Sequence, residues 1–212
     1  MAYSLIIIDN FYNNVDQVRE FALAQEFGVR GNYPGQRTIP MASDSVKEHI
    51  AAHLRGVHGE PQWPDPERVD SYCGSFQWTT ARDRTWIHAD GWNDWAGVCY
   101  LTPNAPLSGG TGIFKHKPTG LVKTPRLANG DRDEDLLNEI YKDAQDMTKW
   151  EMVDRVGNVY NRLVLYDGDL FHASLDYFGR NAQDGRLFQT FFFNTEQGHQ
   201  WNRSQHVTNY GI

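Results

Sequence analysis

The feature that most constrains the fold of this chain is a change of periodicity near Val69. Before it the sequence carries two helix-like patterns, and after it short aromatic segments follow one another, each bounded by turn residues. Aromatic and β-branched residues pack well on pleated surfaces, so these segments are predicted to be strands. Many short strands with helices gathered at one end favour a mainly β protein with flanking helices, arranged as a jelly roll or related double-sheet barrel.

Local patterns place the individual elements. One helix is predicted to begin after Asn14, with Gln17 as capping partner, and a second at Ser45, where Glu48 completes an S-x-x-E capping box. The chain is expected to be one domain over 1–212, with N-terminal helical support over about 1–68, a β core over about 69–194 and a helical insertion over about 131–149. The predicted strands are Tyr3 to Ile8, Val69 to Trp78, Thr85 to Ala89, Trp95 to Thr102, Ile113 to His116, Val159 to Tyr166, Leu170 to Ser174 and Arg186 to Asn194.

The net charge, the hydropathy pattern and the cysteine content limit the kinds of partner and the cellular location expected for this chain. The formal net charge is −7, which argues against a duplex nucleic acid partner, because neutralising phosphates requires basic patches. A small molecule or a peptide is the expected substrate. The early apolar run Leu5 to Ile8 ends at Asp9, which predicts neither a signal peptide nor a membrane partner, and a cytoplasmic location is the default expectation. Cys73 and Cys99 are predicted to be reduced and buried. A homodimer is compatible with a sequence that carries no signal for oligomeric state.

The stretch Thr85 to Asp94 carries the chemistry, because it contains His88 and Asp90 two residues apart in a predicted strand. Alternate residues of a strand project from one face, so the imidazole and the carboxylate are expected to point the same way. Two histidines and one carboxylate on one side of an iron ion form the facial triad, which leaves positions open for substrate and oxygen. The chain must then supply a second histidine from elsewhere.

A candidate for the second histidine lies downstream of the H-x-D motif. His172 follows a predicted strand and a tight turn, and Arg186 opens the next strand. Tyr100 and the pair Gly109-Gly110 lie between the H-x-D motif and His172. An H-x-D motif by itself discriminates poorly, whereas this joint order is moderately specific.

In this order the chain resembles the 2-oxoglutarate- and Fe(II)-dependent oxygenases, in particular the prolyl 4-hydroxylase-like branch. The resemblance runs from about Ile87 to Phe193, and the opening I-I-D-N-F followed by a helix is similar to the start of such domains. It implies a double-stranded β-helix core, the jelly-roll form also found in cupins. It also implies hydroxylation of an unidentified small-molecule, amino-acid or peptidyl substrate, with release of succinate and CO2.

The resemblance assigns a role to each matched residue. His88, Asp90 and His172 would be the iron ligands. Arg186 would pair with the distal carboxylate of 2-oxoglutarate, a task that suits the planar fork of a guanidinium, and Tyr100 would donate its hydroxyl to the same carboxylate. Halogenases of this family have a small residue in place of the carboxylate ligand, so Asp90 favours a hydroxylase.

The chain departs from the family pattern at two points. Thr102 stands where the tyrosine motif has Asn, and the separation from His172 to Arg186 is longer than usual. Arg180, which is nearer to His172, is the rival anchor for 2-oxoglutarate, but it falls in a loop. Arg186 is favoured because the head of a strand fixes the direction of its side chain.

The sequence is also compatible with other interpretations of these residues. His88 and His172 are each compatible with an ordinary core histidine, His58 is read as a surface residue, and His116 as part of a solvated basic turn. The tryptophans near the H-x-D motif fit either core packing or the lining of a cleft. Trp95 is expected to be a core residue. For Trp92, core packing and lining a cleft are equally good predictions. Two other functions compete with the oxygenase: a non-catalytic jelly-roll binding module, and a cupin-like metalloenzyme that uses no 2-oxoglutarate. The first would tolerate loss of Asp90, and the second would be indifferent to Arg186.

Overall fold

The structure, a computed structural model, describes residues 4–196. Three helices occur in this part of the chain, α1 (Val15–Leu23), α2 (Asp44–His58) and α3 (Glu134–Tyr141). The strands of the same part, in chain order, are β1 (Leu5–Ile8), β2 (Gln36–Arg37), β3 (Pro61–Gln62), β4 (Phe76–Thr79), β5 (Trp95–Tyr100), β6 (Thr111–His116), β7 (Trp150–Val156), β8 (Leu163–Asp167), β9 (His172–Ser174) and β10 (Arg186–Thr195). His199 and His206 lie outside the described residues.

Two antiparallel sheets form the core. The larger sheet has the strand order β1-β8-β5-β10-β4-β2, with β3 paired to β10, and the smaller has the order β7-β6-β9. Apart from β6 and β7, strands that follow one another in the chain are not paired with each other, as in a jelly roll. The predicted double-stranded β-helix is therefore confirmed.

Strand β10 lies at the centre of the larger sheet and separates two layers of core. Leu187, Phe191 and Phe193 face a cluster that includes residues of α1 and α2. Phe188 faces the other way, into a cluster that joins β5 and β8 to Ile113 of the smaller sheet. Because side chains alternate along a strand, Arg186 belongs to the same inner face as Phe188.

The helices support the outer face of this sheet. Helix α2 buries Ile50 and Leu54 completely, in agreement with the apolar stripe in its sequence. Its N-cap is Ser43, whose hydroxyl accepts from the Val46 backbone N–H, so the predicted start at Ser45 is two residues late. Glu48 completes no capping box; its carboxylate accepts from the guanidinium of Arg55, two turns further along the same face of the helix.

One predicted strand is wrong in part, and another does not form. In the first, Val69–Ser71 forms a 3-10 helix and Tyr72 is left-handed at φ 52°, so extended structure begins only at Phe76. In the second, Thr85 to Ala89 forms no strand; it makes one isolated bridge, between His88 and His172. Aromatic and β-branched content predicted both segments without revealing whether a neighbouring strand was available to pair with them.

The insertion over 131–149 is less helical than predicted. Helix α3 ends at Tyr141, and a 3-10 turn, Met147–Lys149, leads into β7. The sequence did not predict β7, because five consecutive residues between Trp150 and Val156 are exposed and show no apolar alternation. Strand β7 is held instead by its pairing with β6.

The structure confirms that Cys73 and Cys99 are free and buried. None of the helices within 4–196 combines the length and the apolar character needed to cross a bilayer.

Candidate metal centre

The predicted triad comes together from two segments that are distant in sequence. His88 and Asp90 lie in the extended segment before β5, and His172 is the first residue of β9. The backbone N–H of His88 donates to the carbonyl of His172 at 3.0 Å, and the N–H of His172 donates to the carbonyl of His88 at 2.8 Å. This reciprocal pair places both imidazoles on one side of the bridge, so the same-face prediction holds although the strand does not.

The three side chains converge on one point. Asp90 Oδ2 lies 3.2 Å from Nε2 of His172, and Asp90 Oδ1 lies 3.7 Å from Nε2 of His88. One potential ligand atom from each residue falls within 4.8 Å of the others, so among the described residues this group could hold a metal ion. Two imidazoles and a carboxylate are the donors that suit non-haem iron, so the donor set fits such an ion.

Backbone carbonyls orient both imidazoles. Nδ1 of His88 donates to the carbonyl of Trp86 at 3.1 Å, and Nδ1 of His172 donates to the carbonyl of Leu170 at 2.9 Å. A proton held on Nδ1 leaves the Nε2 lone pair free for a metal, and both Nε2 atoms face Asp90. The acceptor in each case lies two residues before the histidine, so the local backbone of each segment fixes the tautomer.

The charges of the cluster favour metal binding. Burial, aided by the neighbouring His172, lowers the pKa of His88, so its ring is neutral near neutral pH. Burial by itself would raise the pKa of Asp90, but the hydrogen bond to His172 and the charges of His172, His88 and Arg37 together outweigh burial, so the pKa is lowered. The result is a carboxylate beside a neutral imidazole, the protonation states that a divalent cation requires.

Arg186 and Tyr100 lie together on the inner face of the larger sheet. Arg186 is completely buried; its Nε donates to the carbonyl of Gly109 at 2.9 Å and its Nη2 to that of Gly110 at 3.4 Å. Tyr100, also completely buried, has its hydroxyl 2.7 Å from that of Thr111. Burial raises the pKa of Tyr100, which keeps this hydroxyl protonated as a donor.

One atom of Arg186 lacks a partner. Nη1 is buried and makes no hydrogen bond to the described residues. An unsatisfied donor on a buried guanidinium is costly, and a carboxylate oxygen would satisfy it. The residues present thus fit the distal carboxylate of a dicarboxylic acid. The rival, Arg180, does not: its side chain is 87% exposed and pairs with Asp184 at 3.3 Å in a surface loop.

A cavity of about 1340 Å³ opens onto the triad. Typical ligand pockets have about 300–1,000 Å³, so this one has room for two molecules at once. Thr111 and Phe188 form part of its wall, whereas Tyr100 and Arg186 do not line it themselves. Trp92, 81% exposed, lies at the rim over the guanidinium of Arg132, so its lining role is confirmed, and Trp95 is core as predicted.

Two histidine predictions are wrong. His58 is buried against the ring of Trp95, because the last turn of α2 turns it toward the larger sheet. His116 is buried too, with Nε2 3.1 Å from Asp143, although lysines flank it in sequence. At the end of β6 the pleat points the two lysines away from the core and the histidine into it.

Sequence reasoning missed two polar residues of the cavity, Arg37 and Gln77. Both are buried and both line it. Arg37 lies in a two-residue strand inside a segment rich in Gly and Pro, a composition that indicates a loop. Gln77 lies between Phe76 and Trp78 in a predicted aromatic strand, and nothing in that pattern indicates a role for its amide.

Comparison with solved structures identifies the class of fold. HygX from Streptomyces hygroscopicus, solved with nickel and 2-oxoglutarate, is similar over 90% of this chain and 82% of its own, at 13% identity and a TM-score of 0.56. The non-heme alpha ketoglutarate dependent epimerase SnoN from nogalamycin biosynthesis is similar over 88% and 76%, at 12% identity and a TM-score of 0.51. A Pseudomonas putida prolyl-4-hydroxylase is also found, over 91% and 94%, at 15% identity and a TM-score of 0.42. The fold is that of the 2-oxoglutarate-dependent oxygenases, as the sequence predicted.

Sequence comparison assigns the family. The chain belongs to the family of unknown function DUF6445, whose model matches residues 2–193. A search of curated protein sequences finds no match.

Proposed function

We propose that this protein is an Fe(II)- and 2-oxoglutarate-dependent dioxygenase that hydroxylates a small-molecule, amino-acid or peptidyl substrate. The observation that carries the proposal is the convergence of His88, Asp90 and His172 within 4.8 Å at the wall of a large cavity. The oxygenase fold supports it, because that fold accommodates a metal and 2-oxoglutarate in HygX.

The three triad residues would hold the ion, each with a distinct contribution. His88 and His172 each present Nε2 toward Asp90, and the carbonyls of Trp86 and Leu170 fix the direction of the two rings. Asp90 supplies the negative charge that offsets part of the charge of a divalent ion. Bound iron and 2-oxoglutarate would together activate dioxygen, with release of succinate and CO2 as the co-substrate is consumed.

Arg186 and Tyr100 would anchor the distal carboxylate of 2-oxoglutarate. The Thr111 hydroxyl links that pair to the cavity, since it lines the wall and contacts the Tyr100 hydroxyl. Because Nη1 of Arg186 is not exposed to the cavity, contact with a carboxylate requires a side-chain shift at this wall. The free donor would then gain a charge-assisted hydrogen bond, which is about twice as strong as a neutral one.

The carboxylate ligand favours hydroxylation over halogenation. A halide needs an open coordination position on the metal. Halogenases among the 2-oxoglutarate-dependent oxygenases obtain it through a small residue at the position that corresponds to Asp90. With Asp90 present, that position would be filled by the protein.

The test is anaerobic binding of Fe(II) followed by titration with 2-oxoglutarate. We expect one iron per chain and a metal-to-ligand charge-transfer band that saturates with the co-substrate. Iron binding without this band would contradict the use of 2-oxoglutarate and favour a cupin-like enzyme; no iron binding would favour a binding module. Succinate release in air, measured over a panel of amino acids and peptides, then identifies the substrate class.

A further inference from the structure

A buried guanidinium other than that of Arg186 lines the cavity and has no role in the function proposed above. It belongs to Arg37, which is 6% exposed and lies on the edge strand β2. Its Nε donates to Oε1 of Gln77 at 2.8 Å, and its Nη2 donates to the same oxygen. One edge of the planar group is therefore occupied by a neutral amide.

Within the described residues, the positive charge of Arg37 is compensated only in part. Within residues 4–196 no carboxylate lies within salt-bridge distance of its guanidinium, and Nη1 makes no hydrogen bond. Burial lowers the pKa of Arg37 to about 10, with partial compensation from Tyr33 and Asp90. The side chain nevertheless stays charged near neutral pH. A buried cation without a counter-ion is costly, and an anionic ligand would offset that cost.

Two aromatic rings hold the guanidinium in place. Its Cζ lies 3.8 Å from the ring centre of Tyr33 and 4.6 Å from that of Tyr72. The Tyr33 hydroxyl donates to the carbonyl of Val29 at 2.6 Å, which fixes that ring. Both tyrosines also line the cavity. A cation immobilised before a ligand arrives loses little entropy when it binds one.

The sheet register separates Arg37 from the proposed 2-oxoglutarate anchor. Arg37 pairs with Gln77, Gln77 with Phe188, and Phe188 with Tyr100, in one row across four strands. Directly paired residues share a face, so the row points into the cavity side of the sheet. Strands β2 and β10 are two positions apart, which corresponds to about 10 Å. The guanidinium groups of Arg37 and Arg186 therefore lie on the same face of the larger sheet but are separated from each other.

Building on the proposed function, we propose that Arg37 binds a carboxylate of the primary substrate and so selects substrates with a free carboxylate near the oxidised carbon. Gln77 occupies the Nε edge, which leaves Nη1 and the second hydrogen of Nη2 to meet two carboxylate oxygens side by side. A single cation in this place suits a monoanion. Amino acids and peptides with a free C-terminus are the substrate class that fits.

The test measures binding of matched carboxylates and primary amides to protein loaded with Fe(II) and saturating 2-oxoglutarate without oxygen. The probes are benzoate and benzamide, phenylacetate and phenylacetamide, and N-acetylproline and its amide. Calorimetry and the shift of the iron charge-transfer band give the affinities. For at least one of the three probe pairs, we expect the carboxylate to bind about tenfold more tightly than the amide. This is the difference in affinity expected from charge-assisted hydrogen bonds to the guanidinium.

Three variants assign the preference to this side chain. Arg37→Gln should reduce the ratio of affinities to about one, because the charge is lost. Gln77→Glu should do the same while keeping the arginine, because the new carboxylate occupies the guanidinium. Arg30→Gln is the matched control: Arg30 is an exposed arginine of the same segment, outside the cavity lining, and its loss should leave the ratio unchanged.

The outcomes separate this inference from the proposed function. If the charge-transfer band forms but every amide binds as well as its carboxylate, or no probe binds, the carboxylate site is wrong and the oxygenase proposal stands. If Arg37→Gln loses 2-oxoglutarate while retaining iron, Arg37 anchors the co-substrate and the substrate assignment is overturned. If the wild-type protein forms no band with 2-oxoglutarate, the proposed function itself fails.

Discussion

His88 and His172 are joined through their main chains, each donating its backbone N–H to the carbonyl of the other. The two imidazole rings consequently lie with their centres 4.4 Å apart. The backbone, more than the side chains, thus sets the distance between two of the proposed ligands. A side-chain substitution at either position leaves this pairing available, so metal binding can be tested without unfolding the site.

His172→Ala should abolish tight metal binding while the protein stays folded. Loss of one of three protein ligands is expected to weaken iron affinity by about a hundredfold or more. Isothermal titration with Fe(II), with circular dichroism to check the fold, measures the effect. His53→Ala, an exposed histidine of α2, is the control and should bind iron normally. Stoichiometric, tight iron binding by His172→Ala would rule out the triad.

Arg186→Lys should weaken 2-oxoglutarate binding and leave iron binding intact. Lysine keeps the charge but loses the fork, which is expected to lower the affinity by about 10- to 100-fold. Titration of the charge-transfer band gives the constant. Arg180→Lys tests the rival position, and its exposed ion pair with Asp184 predicts no change. The reverse pattern would transfer the anchor to Arg180.

Tyr100→Phe should weaken 2-oxoglutarate binding by about tenfold or more, the effect of one hydrogen bond to a charged group. The ring keeps its place in the core between the sheets, so the melting temperature should change little. Tyr160→Phe removes a hydroxyl that binds Asp16 at the surface and serves as the control. Equal affinities in wild type and Tyr100→Phe would remove Tyr100 from the co-substrate site.

Gly110→Ala should destabilise the protein, whereas Gly56→Ala should stabilise it. A Cβ on Gly110 would lie 1.8 Å from the carbonyl oxygen of Val156, so backbone must move, at a cost of about 2 kcal/mol. Since the carbonyl of Gly110 also accepts from Arg186, 2-oxoglutarate binding should weaken as well. A Cβ on Gly56, inside α2, meets nothing within 4 Å and should add about 0.5–1 kcal/mol to the free energy of unfolding. Urea denaturation measures both.

The two cysteines should react with iodoacetamide only after unfolding. Burial raises the pKa of Cys73 to about 11 and that of Cys99 further, so the thiolate fraction is very small at pH 8. Raising the pH toward 11 in the native state should increase labelling of Cys73 first. Mass spectrometry of the labelled peptides distinguishes the two sites. Rapid labelling of Cys99 at pH 8 would contradict its burial.

The sequence by itself determined the residue types and order of the proposed site, His88 with Asp90, then Tyr100, His172 and Arg186. It also determined the strands whose apolar alternation is strong, such as β10, because side-chain period follows directly from backbone geometry. Edge elements such as β2 and β7 escaped prediction, since their stability comes from a neighbouring strand and leaves little trace in their own composition.

Only the tertiary structure decided which polar groups share a cavity and which are left without a partner. The sequence does not show which of Arg37, Arg180 and Arg186 is buried or which forms an ion pair. Folding exposes Arg180 and buries the other two, each with a donor that the described protein does not satisfy. Whether a charge has a counter-ion depends on contacts between residues far apart in the chain, and those contacts exist only once the sheets have packed.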